Sequence, residues 1–362
     1  MGLGLPGVRS SSEYPTSSAF STALVSYILG HFVGDRIANN FASWDKHLLN
    51  NHTFLVLTGL DAKQVVTRLP VHAVPPDPET EAYGAEGCRI KLSPRRHIAL
   101  ECDEPKLYVP PVYGSNINAA RRVHPPGFVN CSRRQGDYTM GTKWYTHALF
   151  QMPVMRRFDF FIKLDSDLCV VGRVPVVEHM LLNGAWFAHT GHTHEVDACI
   201  STLDTFMQAY AGGSPADNTL AVYSNFVGGW LPFFQSPRMV QFSEAFRDWE
   251  GGWTHRWTDQ QYWLNAIWIA RAESHVLDLT FLRNRCFHHR PRTRAWCALP
   301  LPESERPIRG PVPSGKHPRK CICCVPLPGE TRFRPGWTQS VVPTLDFEPP
   351  AATHADPGND EP

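Results

Sequence analysis

Asp165 and Asp167 close an apolar run, FDFFIKLDSD (158–167), and stand two residues apart. If the run is a β-strand, alternate residues share a face, so both carboxylates point the same way and Ser166 points away. Lys163 lies on that same face and could pair with them. Two hard carboxylates favour Mg²⁺ or Mn²⁺, and such an ion can hold a diphosphate. In open α/β sheets ligands bind beyond the carboxyl ends of strands, which is where this pair falls. The chemistry this favours is transfer from a nucleotide-diphosphate donor, the metal offsetting charge on the leaving diphosphate. An Asp-x-Asp also describes an ordinary solvated turn. The apolar strand in front of it tips the reading toward a site.

Something must position the pair. The stretch AFSTALVSYILGHFVG (19–34) is too short and too rich in Ser and Thr to span a bilayer, and no basic cluster precedes it. It reads as a strand. DRIANNFASWDKHLLN follows with helical spacing of Ile37, Phe41, Trp44 and Leu48, and TFLVLTGL reads as a second strand. Strand, helix and strand in this order open an α/β domain with a Rossmann-like mixed sheet flanked by helices. Residues 70–126 are Pro-rich and irregular, with β-like pieces at CRIKLS and HIALEC, and read as a variable insertion. Helices are expected at MGTKWYTHALFQMPVM (140–155), VVEHMLL, CISTLDTFMQAY and WTDQQYWLNAIWIARA (257–272), and a strand at SHVLDLTF (274–281). Residues 1–18 read as an N-terminal extension. Fourteen of the 32 prolines fall in 300–362, so that tail reads as extended or disordered, and the domain as 19–299.

Composition narrows the function. The net charge is +1 over 362 residues, so no global field draws in nucleic acid or an anionic membrane, and nucleic acid is not an expected partner. Aromatic residues make up 11% and include 11 Trp, which suits a large core or a sugar-stacking surface. Trp257, Trp263 and Trp268, at helical spacing, suit the core. The 10 cysteines form no facing CxxC pairs, which argues against a zinc ribbon and fits either lumenal disulfides or free thiols. The sequons at Asn51 and Asn130 lean toward the lumen. His189, His192 and His194 read as a polar loop rather than a metal cluster, and Gly228-Gly229 and Gly251-Gly252 as turn glycines.

Several blocks, in order and in register over about 138–290, resemble the fungal α-1,2-mannosyltransferases of glycosyltransferase family 15. YTMGTKWYTHALFQMPVMRRFDFFIKLDSD is similar to that family's helix, turn and strand ending in Arg-x-Glu-Pro-Asp. CISTLDTF resembles its Thr-x-Thr-Leu-Trp helix, YSNFVGGWLPFFQSP…GGWTHRWTDQ its Ser-Asn-Phe-Glu to Arg-Trp-x-Asp block, and NRCFHHR its His element. The resemblance implies a GT-A fold and a hexosyltransferase moving mannose from GDP-mannose to a glycan or glycoprotein acceptor, with Mn²⁺ or Mg²⁺ as cofactor. It implies metal ligands at Asp165, Asp167 and His288 or His289. It implies donor contacts from Tyr138, Tyr145, Lys163, Asp165, Tyr223 and Asn225, acceptor contacts from Arg256 and Trp257, and catalytic roles for Asp167 and Asp259. It further implies the Golgi lumen or another part of the secretory pathway. Membrane association stays open, since no anchor is seen in this chain.

One position departs from the pattern. Where the family has Glu after Ser-Asn-Phe, this chain has Val227. Valine can neither attack an anomeric carbon nor stabilise positive charge there. A retaining transfer then runs by front-face attack, or uses another carboxylate, with Asp259 the first candidate and Asp217 the second. Two alternatives stand beside the mannosyl reading: a GT-A transferase using a UDP-sugar, and a non-catalytic protein of this fold that binds nucleotide or glycan.

Overall fold

The computed structural model describes residues 20–27, 43–45, 47–48, 53–58, 72–73, 88–92, 98–102, 141–166, 168–170, 174–215, 217, 219–255, 257–280 and 286–288, all within the compact unit Met1–Pro326. The extension 1–18 and the tail 300–362, with its CICC, lie outside the described residues.

Among the described residues a nine-stranded mixed sheet forms the centre. Its strands are β1 (Thr22–Tyr27), β2 (Thr53–Thr58), β3 (His72–Ala73), β4 (Cys88–Leu92), β5 (Ile98–Cys102), β6 (Phe160–Leu164), β8 (Phe187–His189), β11 (Phe226–Trp230) and β12 (Val276–Asp278). Their order is β12-β8-β11-β6-β1-β2-β5-β4-β3. The inner strands β6, β1, β2 and β5 run parallel. β11 is antiparallel to both β6 and β8. β1 and β6 are buried on both faces, as a covered parallel sheet requires, and so read as near-continuous apolar runs. Two small ladders sit apart from the sheet. β9 (His192–His194) pairs with β10 (Leu220–Val222), and β7 (Leu168–Val170) pairs with β13 (Cys286–His288).

Five helices matter for the site: α1 (141–151), α2 (Val176–Leu182), α3 (Leu203–Ala211), α4 (Pro237–Asp248) and α5 (Asp259–Ala270). In α1, Trp144–Ala148 forms a π-helical turn. α5 starts on a capping box: the Thr258 hydroxyl accepts from the Gln260 N–H, and the Gln261 side chain accepts from the Thr258 N–H. The sheet face that carries Phe161 packs on α1 through Phe150, on α5 through Trp263 and on the short helix Leu231–Phe234 through Phe234. The opposite face meets α2, where Val176 and Met180 lie against Gly228.

Three sequence expectations meet the structure here. The β-like pieces in 70–126, read as a variable insertion, add strands to the main sheet, β5 pairing with β2 and β4 with β5. Cys88 and Cys102, directly opposite in that ladder, form a disulfide. Gly228 and Gly229 are not turn glycines but the middle of the central strand β11. A Cβ on Gly229 would stand 2.3 Å from the Phe161 ring and 2.6 Å from that of Phe234. Glycine is there because two aromatic rings occupy the space a side chain would need. The expected strand at 274–281 shortens to Val276–Asp278, behind a 3₁₀ turn at Glu273–His275.

Candidate active site

The parallel run of strands ends at β6, and the next strand, β11, comes back antiparallel. The carboxyl end of β6 therefore lies beside the start of β11. Asp165 follows β6, Ser224 and Asn225 precede β11, and the Asp165 N–H donates to the Asn225 carbonyl at 3.0 Å. The strand order reverses beside it, since β2 and β5 extend the sheet on one side of β1 and β6 on the other, and open α/β sheets form ligand crevices beyond the carboxyl ends of strands at such a point.

Lys163 sits one turn of the pleat below, on a face shared with Asp165. It is 2% exposed, and its ammonium donates to Asp165 Oδ1 at 2.6 Å and to the Ser224 carbonyl, and pairs with Asp259 Oδ2 at 3.1 Å. Its Nζ also lies 4.5 Å from the centre of the Tyr145 ring. Tyr145 is held in turn by the Tyr27 N–H, which donates to its hydroxyl at 2.8 Å. Thus α1, β1, β6, the start of β11 and the first residue of α5 meet at one buried ammonium.

The electrostatics follow from burial and pairing. Burial alone pulls the Lys163 ammonium down, but Asp165 and Asp259 outweigh it and hold the group above its ordinary value. Burial pushes the Asp259 carboxyl above the usual carboxylate range, against the pull of Lys163. Burial also raises the Tyr145 phenol, which stays protonated. Two carboxylates share one ammonium. Asp165, with a side chain 31% exposed, is the one that faces solvent.

The remaining expected residues divide. Asn225 is buried beside Asp165, and among the described residues its Oδ1 has no hydrogen-bond partner. Tyr223 is half-buried next to it, its N–H bonded to the Gly191 carbonyl. The backbone of His288 stands opposite Leu168 in the β13–β7 ladder. The strand β7 is itself fixed by Ser43, whose hydroxyl bonds Val170, and by the Trp44 indole N–H, which donates to the Leu168 carbonyl at 2.9 Å. Asp167, Tyr138, Arg256, His289 and the His288 side chain lie outside the described residues. Trp257 is 0% exposed and packs against Phe206 and Phe246, so in this conformation its ring belongs to the core and offers no face to an acceptor. Tyr145 is likewise buried, with its hydroxyl engaged by the β1 backbone.

Two features went unread in the sequence. Ser224 contributes through its carbonyl, which no residue type announces. Lys143 is buried in α1, donates to the Phe246 carbonyl at 3.0 Å and lies 4.1 Å from the centre of the Phe246 ring. The three histidines split between β8 and β9. Among the described residues no group of three or more His, Cys, Asp and Glu is arranged to hold a metal.

No protein-family profile and no curated protein matches the sequence. Solved structures do. Core-mannan synthase A from Aspergillus fumigatus, in its Mn/GDP form, superposes with a TM-score of 0.50 at 14% identity, covering 75% of this chain and 74% of that one. The fold is GT-A. The mannosyltransferase Ktr4p from S. cerevisiae is similar at a TM-score of 0.47 and 11% identity, over 68% of this chain and 65% of that one. The likeness runs to the same fungal mannosyltransferases that the motifs of this chain resemble.

Proposed function

We propose that this protein is a metal-dependent GT-A glycosyltransferase that moves a hexose, with mannose from GDP-mannose as the first donor to test, to a hydroxyl of a glycan or glycoconjugate. The observation that carries the reading is the carboxyl end of β6 with Asp165, placed beside the point where the strand order reverses, on a fold whose structural neighbour is an Mn/GDP form.

The donor set suits a divalent ion. Asp165 is a solvent-facing carboxylate at a site where two carboxylates share one ammonium, and the orphaned Asn225 Oδ1 beside it calls for a partner. Asp165, Asp167 and His288 or His289 would hold Mn²⁺ or Mg²⁺ there, and the bound ion would offset charge on the departing diphosphate. Asn225 Oδ1 would accept a hydroxyl of the donor sugar. Asp259 is 2% exposed and tied to Lys163, so the acceptor hydroxyl gives its proton more readily to the leaving phosphate than to this carboxylate. Val227 supplies no charge, so retention of configuration here means front-face attack without a nucleophile at that position.

A secretory-lumen location is supported by the Cys88–Cys102 disulfide and by a second disulfide at Cys199, since such bonds persist in oxidising compartments. Among the described residues no helix is long and apolar enough to cross a membrane.

The test is a panel of GDP- and UDP-sugars with Mn²⁺, run on wild type and on Asp167→Ala. Release of nucleoside diphosphate by wild type and its loss in the variant is the expected result; equal turnover in both overturns the metal assignment. Val227 favours one second reading, a protein that binds the nucleotide without turning it over. Binding of GDP or UDP with no release from any donor would decide for it.

A further inference from the structure

The family resemblance implies a donor contact from Lys163, and the structure places its ammonium among groups of the protein, 2% exposed. An ammonium has three N–H donors. Two are spent inside the protein, on Asp165 Oδ1 and the Ser224 carbonyl. Asp259 Oδ2 pairs with the ammonium by charge at 3.1 Å without a hydrogen bond of its own, and the Tyr145 ring lies over the group. At 2% exposure the ammonium is turned to these groups and not to solvent. The three partners come from three separate places: the end of β6, the turn before β11 and the first residue of α5.

We propose that Lys163 is a positioning residue that couples Asp165, on the ligand side of the site, to Asp259 at the start of α5, so that charge arriving at Asp165 is felt at the first turn of that helix. This rests on the reading of Asp165 as a ligand-facing carboxylate. The reasoning is one of competition. Asp165 and Asp259 draw on a single ammonium. A cation that takes up Asp165 frees Lys163 to hold Asp259 more fully, and removal of the Asp165 charge does the same without any ligand. The capping box at Thr258 and Gln261 makes that first turn a sensitive reporter, because its amides are ordered by side chains one and two residues from Asp259.

The primary test needs neither metal nor turnover. Hydrogen exchange of the amides of 258–262 is compared in wild type and Asp165→Asn. Exchange several-fold slower in the variant is expected, since Lys163 then serves Asp259 alone; unchanged or faster exchange overturns the proposal. The second test titrates Mn²⁺ alone, followed by electron paramagnetic resonance, onto wild type, Lys163→Met, Lys163→Met/Asp259→Asn and Lys163→Arg. The double variant leaves no buried charge unpaired and so covers the case in which the single one fails to fold. Loss of the competing ammonium should tighten Mn²⁺ binding about tenfold in the methionine variants, and arginine should return it toward wild type. Equal affinity in all four overturns the proposal. If wild type takes up no Mn²⁺, the metal reading of Asp165 fails, and the exchange comparison still decides the role of Lys163.

Discussion

Val227 stands directly opposite Lys163 in the ladder between β11 and β6, and directly opposite His189 in the ladder to β8. Residues paired in this way project from the same face of a sheet. Val227 is fully buried, so the position at which the resembled family has a carboxylate is an apolar neighbour of the buried ammonium. The negative charge facing that ammonium comes from Asp165 and Asp259 instead.

Reinstating the carboxylate should therefore not help. In Val227→Glu a third acid enters a site whose ammonium already pairs with two carboxylates, and an unpaired buried polar group costs about 3 kcal/mol. A lower midpoint in urea with no gain in donor turnover is expected. A variant as stable as wild type and faster would show that the valine is a simple loss.

The Lys163–Asp259 pair should behave as a unit. Removing one partner of a buried pair strands the other charge, at about 3–5 kcal/mol, whereas replacing both with neutral groups is often close to neutral. Lys163→Met should lose stability on that scale, and Lys163→Met/Asp259→Asn should recover more than half of it in equilibrium denaturation. Additive losses would mean that the two do not interact.

Gly229 tests the packing of β11. Alanine there drives a methyl group into the rings of Phe161 and Phe234, at 2.3 Å and 2.6 Å. Overpacking of this kind costs about 1–3 kcal/mol. Gly213 is the control, because a Cβ there meets Trp268 at an ordinary 3.5 Å. Gly213→Ala should stay within about 0.5 kcal/mol of wild type. Thermal melts of the two variants separate the cases.

Lys143 sets a pH dependence. Burial lowers its ammonium to about 7, with Asp248 opposing. The unfolded chain keeps this proton up to about pH 10.5, while the folded one gives it up near 7. Between these values the unfolded state binds more protons, so stability rises with pH, by at most about 1.4 kcal/mol per unit for one group. Denaturation midpoints between pH 7.5 and 9 should climb in wild type and lose that slope in Lys143→Met. The same slope in the variant would assign it to another group.

Much of the frame was legible in the sequence because it depends on near neighbours. The apolar runs of β1 and β6, the helical spacing of α2, α3 and α5, and the acidic residue at the end of β6 are local patterns. The strands β8 and β11 were not legible. FAH is too short to show a period, and FVGGW carries two glycines that punctuate turns elsewhere. Only the rings of Phe161 and Phe234, brought up from other parts of the chain, explain those glycines.

The candidate site divides along the same line. The sequence by itself determined that Lys163 and Asp165 share a face at a strand end, because strand geometry fixes which residues lie together two apart. It could not determine what that ammonium holds. One partner is a backbone carbonyl 61 residues away, and another is the carboxylate opening a helix still further along. Only the tertiary structure decided that the Lys163 ammonium is buried among groups of the protein and that the Trp257 ring lies in the core, since burial is a property of the neighbours a residue acquires when distant segments pack.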